Sequence, residues 1–378
     1  MKILQGKKIE GQDWVFNSKI NELNNPLVLI FGNRFLLESK SLFDDLKAKF
    51  PTGHLVFGST SGEIIANNVY DNSITLTAIE FEKSTFEIKR ENILTQHKNS
   101  KQTGLKLFDK FNKKGLKHLF IISEGSFVNG SDLIEGLEFS ITNNQLAITG
   151  GLCGDDARFE KTLASYNEQP KEGEIIAIGF YGDTLEFTYA NYGGWNPFGP
   201  ERIITKSEGN ILHEIDGIPA LDIYKKYLGN KAKELPQAAL LYPLSVKAPN
   251  KDKSVVRTIL NIDHENNTMV LAGDVPVGSK VQLMMATVDD IVNGASHAAE
   301  LAMSNRKVKP ELGLLVSCVG RKLVMDQRVE EEIEEVQHVV GSDFAISGFY
   351  SYGEMSPFTG DNKCVLHNQT MTLTLISE

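Results

Sequence analysis

Cysteine is scarce in this sequence. Cys153, Cys318 and Cys364 are an odd number without metal-ligand spacing, so neither a disulfide framework nor a zinc site is indicated, and reduced thiols are expected. Also missing is any apolar run near the roughly 20 residues that span a bilayer, and the lysine-bearing start MKILQGKKIEGQDW is not followed by one. The expectation is a soluble, cytoplasmic protein with no membrane contact. Cations are outnumbered: 39 Lys and Arg against 49 Asp and Glu give a net charge of -10. A nucleic-acid surface, which needs clustered cations to replace phosphate counterions, is therefore not expected. The basic run from Lys106 to Lys117 reads as a solvated helix with Leu105, Leu107, Phe108 and Phe111 on its buried face. The eight histidines (His54, His97, His118, His213, His264, His297, His338 and His367) lack the i, i+4 placement of helical metal sites. The glycine, lysine and hydroxyl order of a phosphate-binding loop is missing too.

Three places in the chain show the same order of patterns. In the first, the apolar run Leu27 to Phe31 precedes a helical segment around Phe35 to Phe50. The strand Leu55 to Phe57 then meets Gly58-Ser59-Thr60-Ser61-Gly62-Glu63, and the alternating strand Ile74 to Phe81 closes the unit. The second has Leu119 to Ser123, a helix Ser131 to Thr142, Ala147 to Thr149, the loop Gly150-Gly151-Leu152-Cys153-Gly154-Asp155-Asp156, and Ile175 to Phe180. The third has Leu312 to Ser317, a helix Val329 to Val340, Ala345 to Ser347, the loop Gly348-Phe349-Tyr350-Ser351-Tyr352-Gly353-Glu354, and Met371 to Ile376. Phe31 to Gly58 and Ser123 to Gly150 are both 27 positions, and Ser317 to Gly348 is 31.

Between the second and third units, short strands surround a helix at Pro219 to Leu228, and Val288 to Met303 forms another helix with Thr287 or Asp289 as its cap. The glycine- and proline-rich stretch Gly193 to Pro200 reads as an exposed crossing near a domain boundary. The fold class is α/β, with mixed sheets built from repeated strand-helix-strand-loop-strand units in two modules.

Glycine-rich turns after strands can aim backbone amides at an anion, and neighbouring acids can hold an ammonium group or a hydroxyl. Glu63, Asp155, Asp156 and Glu354 follow the three loops, with Tyr350 and Tyr352 as candidate aromatic walls. Any one loop is explained by ordinary turn chemistry. Three together point to a small-ligand pocket. Arg321 either clamps a ligand carboxylate or pairs with a glutamate of the run Glu330 to Glu335, whose carboxylates otherwise read as a solvated face. Cys153 and Cys318 lack a patterned base, so catalysis is not the expectation. His367, beside Asn368, is the candidate should a haem iron be bound.

Ser59-Thr60-Ser61-Gly62-Glu63-Ile64 and the second and third loops resemble signatures of FIST (F-box and intracellular signal transduction) proteins. Gly194-Trp195-Asn196-Pro197, Glu214 to Leu221, Ser317-Cys318-Val319-Gly320-Arg321 and Leu366-His367-Asn368-Gln369-Thr370 are similar to the family's pattern too. Gly58 stands where that pattern has a cysteine. The resemblance implies a FIST N-like domain over 1–212 and a FIST C-like domain over 213–378. It also implies sensing of small ligands, amino acids among them, by a free-standing bacterial input module that signals through a separate histidine kinase or cyclic-nucleotide enzyme. Some relatives are haem-containing nitric oxide sensors, and an enzyme acting on a small polar metabolite is the remaining alternative. The ligand-binding positions so marked are Ser59, Thr60, Glu63, Cys153, Asp155, Asp156, Arg321, Tyr350, Tyr352, Glu354, His367 and Asn368, with no resident cofactor required and haem as the candidate one.

Overall fold

The three apolar strand runs are buried on both faces, because each strand serves two cores. In the computed structural model, which describes residues 1–18, 23–141 and 146–378, Leu27, Leu29 and Phe31 point to a central core with Phe120, Ile122, Leu314, Val316 and Phe349. Val28 and Ile30 point the other way, onto Leu42 and Leu46 of an outer helix. The second and third strand pairs do the same against Leu133 and Leu137, and against Ile333 and Val336. Near-continuous apolar runs are what a strand covered on both sides requires.

Three six-stranded sheets share one plan. In the first, Leu27–Gly32 lies parallel to His54–Ser59 and antiparallel to Ser73–Glu80. In the second, Leu116–Ser123 sits between Ala147–Leu152 and Glu174–Tyr181. In the third, Leu312–Cys318 sits between Ala345–Ser351 and Met371–Ser377. The segment after each glycine-rich loop does not return to its own sheet. Glu63–Ile65 pairs with Ala345–Ser351 of the third sheet, Gly353–Pro357 with Ala147–Leu152 of the second, and Ala164–Tyr166 with His54–Ser59 of the first. The exchange closes a ring. A fourth sheet, of eight strands between Asn196 and Met285, packs on the helix Ala220–Leu228 around its own core.

Several sequence expectations shift. The first helix is two, Arg34–Leu37 and Lys40–Lys49, because Ser39 is extended between them. The basic run is not one helix: Ser100–Asp109 is helical, capped by Asn99, and the chain turns at Gly115 to begin the strand at Leu116. Phe108 and Phe111 are buried as expected, together with Leu107, whereas Leu105 is only partly so. The second helix is Gly130–Glu138; its expected end at Thr142 lies outside the described residues. The stretch from Gly193 crosses from the third sheet to the fourth with Asn196, Pro197, Gly199 and Pro200 exposed, as expected, but it is ordered. Asn196–Glu208 is a long strand, and Trp195 is buried, its indole N–H donating to the Gln369 carbonyl at 2.9 Å. The helix Val288–Met303 is as read, with Thr287 and Asp290 forming a reciprocal capping box. Among the described residues no helix is long and apolar enough to cross a membrane.

Gly150 shows why the loops need glycine. Its φ is +140°, and a Cβ there would lie 2.0 Å from the Ile121 carbonyl oxygen. Gly150→Ala should therefore cost at least about 2 kcal/mol of unfolding free energy, whereas Gly11→Ala, at φ +76° with nothing nearby, should cost about 1. Urea denaturation of the two variants checks this, and equal losses would mean that the backbone yields at Gly150.

Candidate functional site

The strand exchange draws the three glycine-rich loops to one point, where they hydrogen-bond to each other. Ser61 N–H donates to the Tyr350 carbonyl, Gly154 N–H to that of Ser59, and Tyr352 N–H to that of Leu152, at 2.9–3.1 Å. The approach is close enough that a side chain on Gly154 would meet Ser61 Oγ at 2.2 Å. Ser59, Thr60, Glu63, Cys153, Asp155, Tyr350 and Glu354 are each no more than 1% exposed. Seven of the twelve marked residues thus meet in a closed, packed hub.

Glu63 and Glu354 sit in matching settings. Each accepts from the hydroxyl three residues earlier, Thr60 (2.5 Å) or Ser351 (2.7 Å). Each also accepts from a hydroxyl at the start of the closing strand, Ser73 (2.6 Å) or Thr370 (2.9 Å). Burial outweighs these donors and pushes the Glu63 carboxyl up to about 8 and that of Glu354 to about 7. The second loop differs: Asp155 is gripped by the Arg34 guanidinium at 2.9 Å and accepts from Lys161 N–H, while the partly exposed Asp156 has φ +50°.

Three of the remaining marked residues, Arg321, His367 and Asn368, are committed to the interior. Arg321 is wholly buried: Nη2 (2.7 Å) and Nε (3.1 Å) donate to Glu332, Nη2 also to the Ile291 carbonyl, and Nη1 to the Gly193 carbonyl. Glu332 also accepts from Ser317 and Tyr350, so it is a core residue and not part of a solvated face. All three cysteines are buried, and loss of hydration pushes their thiols far up, which leaves no thiolate nucleophile. His367 is 2% exposed and donates from Nε2 to the Ser356 carbonyl at 2.9 Å; burial holds it neutral, down to about 4. That nitrogen is committed, and a haem at His367 does not fit the packing around it. Asn368 is fully buried, and neither of its side-chain polar atoms has a partner.

Tyr352 faces outward from the hub into a cleft of about 520 Å³ between the second sheet and the fourth. Its floor is Gly125–Gly130, the turn that follows the strand Leu116–Ser123. Glu124 folds this turn by accepting from the Ser126, Phe127 and Val128 amides, and Asn129 caps the helix beyond it. One wall is Phe159 stacked on Tyr352 with centroids 4.4 Å apart. Phe159 holds φ +57°, rare for a bulky residue, and its amide donates to Tyr352 Oη at 2.9 Å. The opposite wall carries Asn210, Leu260 and Asn261. Sequence reasoning did not single out Phe159, Asn129, Asn210 or Asn261. The capping order Asn129-Gly130-Ser131-Asp132 directly after a strand was readable; the strained Phe159 was not.

The two raised carboxyls set a pH dependence. A carboxyl whose pKa is higher folded than unfolded contributes stability that is full below its unfolded value, and this is lost as pH rises through the folded one. Unfolding free energy should therefore fall from about pH 5 to about pH 9, by about 1.4 kcal/mol per pH unit for each group while it titrates. Glu63→Gln should flatten part of that slope in urea melts. A variant profile parallel to that of the parent would rule out a neutral Glu63.

A family model for the FIST N domain matches residues 26–218 and one for the FIST C domain residues 220–357. An uncharacterised protein of Methanocaldococcus jannaschii is 25% identical over 356 residues, covering 83% of this chain and 66% of its own. An uncharacterised protein of Mycobacterium tuberculosis is 25% identical over 189 residues, covering 48% of this chain and 49% of its own. The chain thus spans between half and two thirds of the length of these curated relatives. A putative isochorismate synthase of Bacillus anthracis, aligned over 99% of this chain and 88% of its own at 12% identity, has a TM-score of 0.14 and carries no argument. With both family models matching in sequence order along sheets of the expected mixed type, the chain belongs to the FIST family of signal-transduction sensor domains.

Proposed function

We propose that this chain is a cytoplasmic sensor whose small polar ligand occupies the cleft walled by Tyr352 and Phe159, and that the three sheets are copies of one unit. The observation that carries the reading is the Tyr352–Phe159 stack. A left-handed phenylalanine pinned by its neighbour's hydroxyl is a strained feature, and it stands at the ends of parallel strands, where α/β proteins collect their ligands.

The chemistry favours a ligand with an amine, such as an amino acid. The turn amides are already taken by Glu124 and by the Asn129 cap, so no free row of donors greets an anion. Instead the amide oxygen of Asn210, whose nitrogen donates to the Leu271 carbonyl, is left to accept, while those of Asn129 and Asn261 already accept from backbone N–H groups. Asp274 bonds Asn129 at 3.1 Å, and Asp132, its carboxyl raised by burial and by Asp274, adds negative potential. Aromatic faces beside such acceptors suit an ammonium group. Because the cleft lies between the second sheet and the fourth, a ligand bridging its walls would bias their packing, and the signal passes in trans to a histidine kinase or a cyclic-nucleotide enzyme.

A thermal-shift screen of amino acids and related amines tests the reading. A true ligand at 100 times its dissociation constant stabilises by about 2.7 kcal/mol. Tyr352→Ala should abolish that shift while the unliganded variant still melts cooperatively. Glu354 and Arg321 are unsuitable for the test, since both are structural. A shift that survives in Tyr352→Ala would move the ligand elsewhere, and no stabilising compound in the amine class would remove the proposal.

A further inference from the structure

Among the described residues three arginines are buried: Arg34 at 8% exposure, Arg257 at 5% and Arg321 at 0%. Two of them have a buried carboxylate, Asp155 for Arg34 and Glu332 for Arg321. Arg257 has none. Its hydrogen bonds end on the backbone carbonyls of Asp274, Val256 and Leu366. Nε and Nη1 make all three, which leaves Nη2 without a protein partner among the described residues and yet not sealed from solvent. A charge taken out of water without an ion pair is costly, and here three carbonyls and the field of the Asp274 carboxylate return only part of that cost.

Arg257 lines a cavity of about 400 Å³, distinct from the Tyr352 cleft. The cavity has apolar walls in Val255, Val365 and Phe358, and Lys251, Lys253 and Lys363 stand exposed at its mouth, Lys253 with its Nζ 4.9 Å from the Phe358 ring centroid. Its acids are placed unfavourably for Arg257: Asp252 and Asp361 are exposed on the rim, and Asp274 turns its Oδ1 to Asn129. The cavity therefore combines a buried guanidinium without an ion pair, three further cations and apolar walls.

We propose that this cavity is a second ligand site, for a small organic carboxylate with an apolar body. The carboxylate binds Arg257 Nη2, within reach of the mouth lysines, and the body lies on Phe358, Val255 and Val365. Guanidinium pairing gives the charge selectivity, and the apolar walls distinguish such a ligand from inorganic anions.

Calorimetric titration of the full chain with phenylacetate, phenyl phosphate and the neutral phenylacetamide, at one ionic strength, decides the matter. Saturable binding of phenylacetate and none of phenylacetamide is expected. Arg257→Gln should weaken phenylacetate about tenfold or more while still melting cooperatively, at a lower temperature than the parent because the Asp274, Val256 and Leu366 carbonyls lose their donors. Phe358→Ala, at a partly exposed wall, should also weaken it, and Tyr352→Ala should leave it unchanged. Failure of phenylacetate to saturate, or equal affinity in Arg257→Gln, would overturn the site. Binding of phenyl phosphate alone would overturn the carboxylate assignment.

Discussion

Each of the three sheets ends in a strand that the chain contributes from another sheet, and most of the architecture follows from that constraint. A sheet with an open edge presents unpaired amides and carbonyls. Here the edges beside His54–Ser59, Ala147–Leu152 and Ala345–Ser351 are closed by segments from the second, third and first units respectively. No sheet is complete until the other two are present. The loops that lead into the exchanged strands must cross at the centre, which is why they hydrogen-bond to each other and why Gly154 has no room for a side chain. Burying these crossings also buries the acids that follow them, and lost hydration raises the Glu63 and Glu354 carboxyls in spite of their hydroxyl donors.

Glycine and acid side by side have two readings, ligand approach or chain approach, and the packing separates them. At the hub the chain itself comes close: the backbone of one loop fills the space in front of the next. Open space lies instead at the periphery, where Tyr352 turns out of the third loop toward the fourth sheet. The same loop thus has Tyr350 locked inside by Glu332 and Tyr352 at a cleft two residues on, because the strand Ala345–Ser351 ends between them and Tyr352 is released from its period-2 alternation.

What the sequence makes legible is the part governed by local pattern. The nine strand runs of the three units, the capped helix after Thr287 and the mixed α/β class follow from apolar periodicity and capping residues. The pairing of Glu63–Ile65 with a strand nearly 300 positions away does not, because three short segments of similar composition carry no mark of which edge each will join. For the same reason Glu332 looked like one of several solvated glutamates. Its role as partner of Arg321 depends on helix rotation and on Ser317 and Tyr350 arriving from elsewhere. Phe159 and Arg257 were invisible for a different reason: one is defined by a backbone angle, the other by the lack of a partner that only three dimensions can reveal.

Polar contacts join the three-sheet body to the fourth sheet, among them that of Arg257 with the Leu366 carbonyl. Gln369 donates to the Leu240 carbonyl and accepts from the Trp195 indole through its own carbonyl. Arg321 holds the Gly193 carbonyl just ahead of the long strand Asn196–Glu208, and Asn129 reaches Asp274. Next to them Asn368 keeps a buried amide unsatisfied, and Gln369, at φ +63°, leaves its Oε1 unpaired. A junction that was optimised only for rigidity would satisfy these groups, since each buried polar atom without a partner costs about 1–3 kcal/mol. Retaining them at the joint between two independently cored bodies lowers the cost of changing their relative packing. That is the property a sensor needs at the place where a bound ligand's energy, itself only a few kcal/mol, must choose between two arrangements.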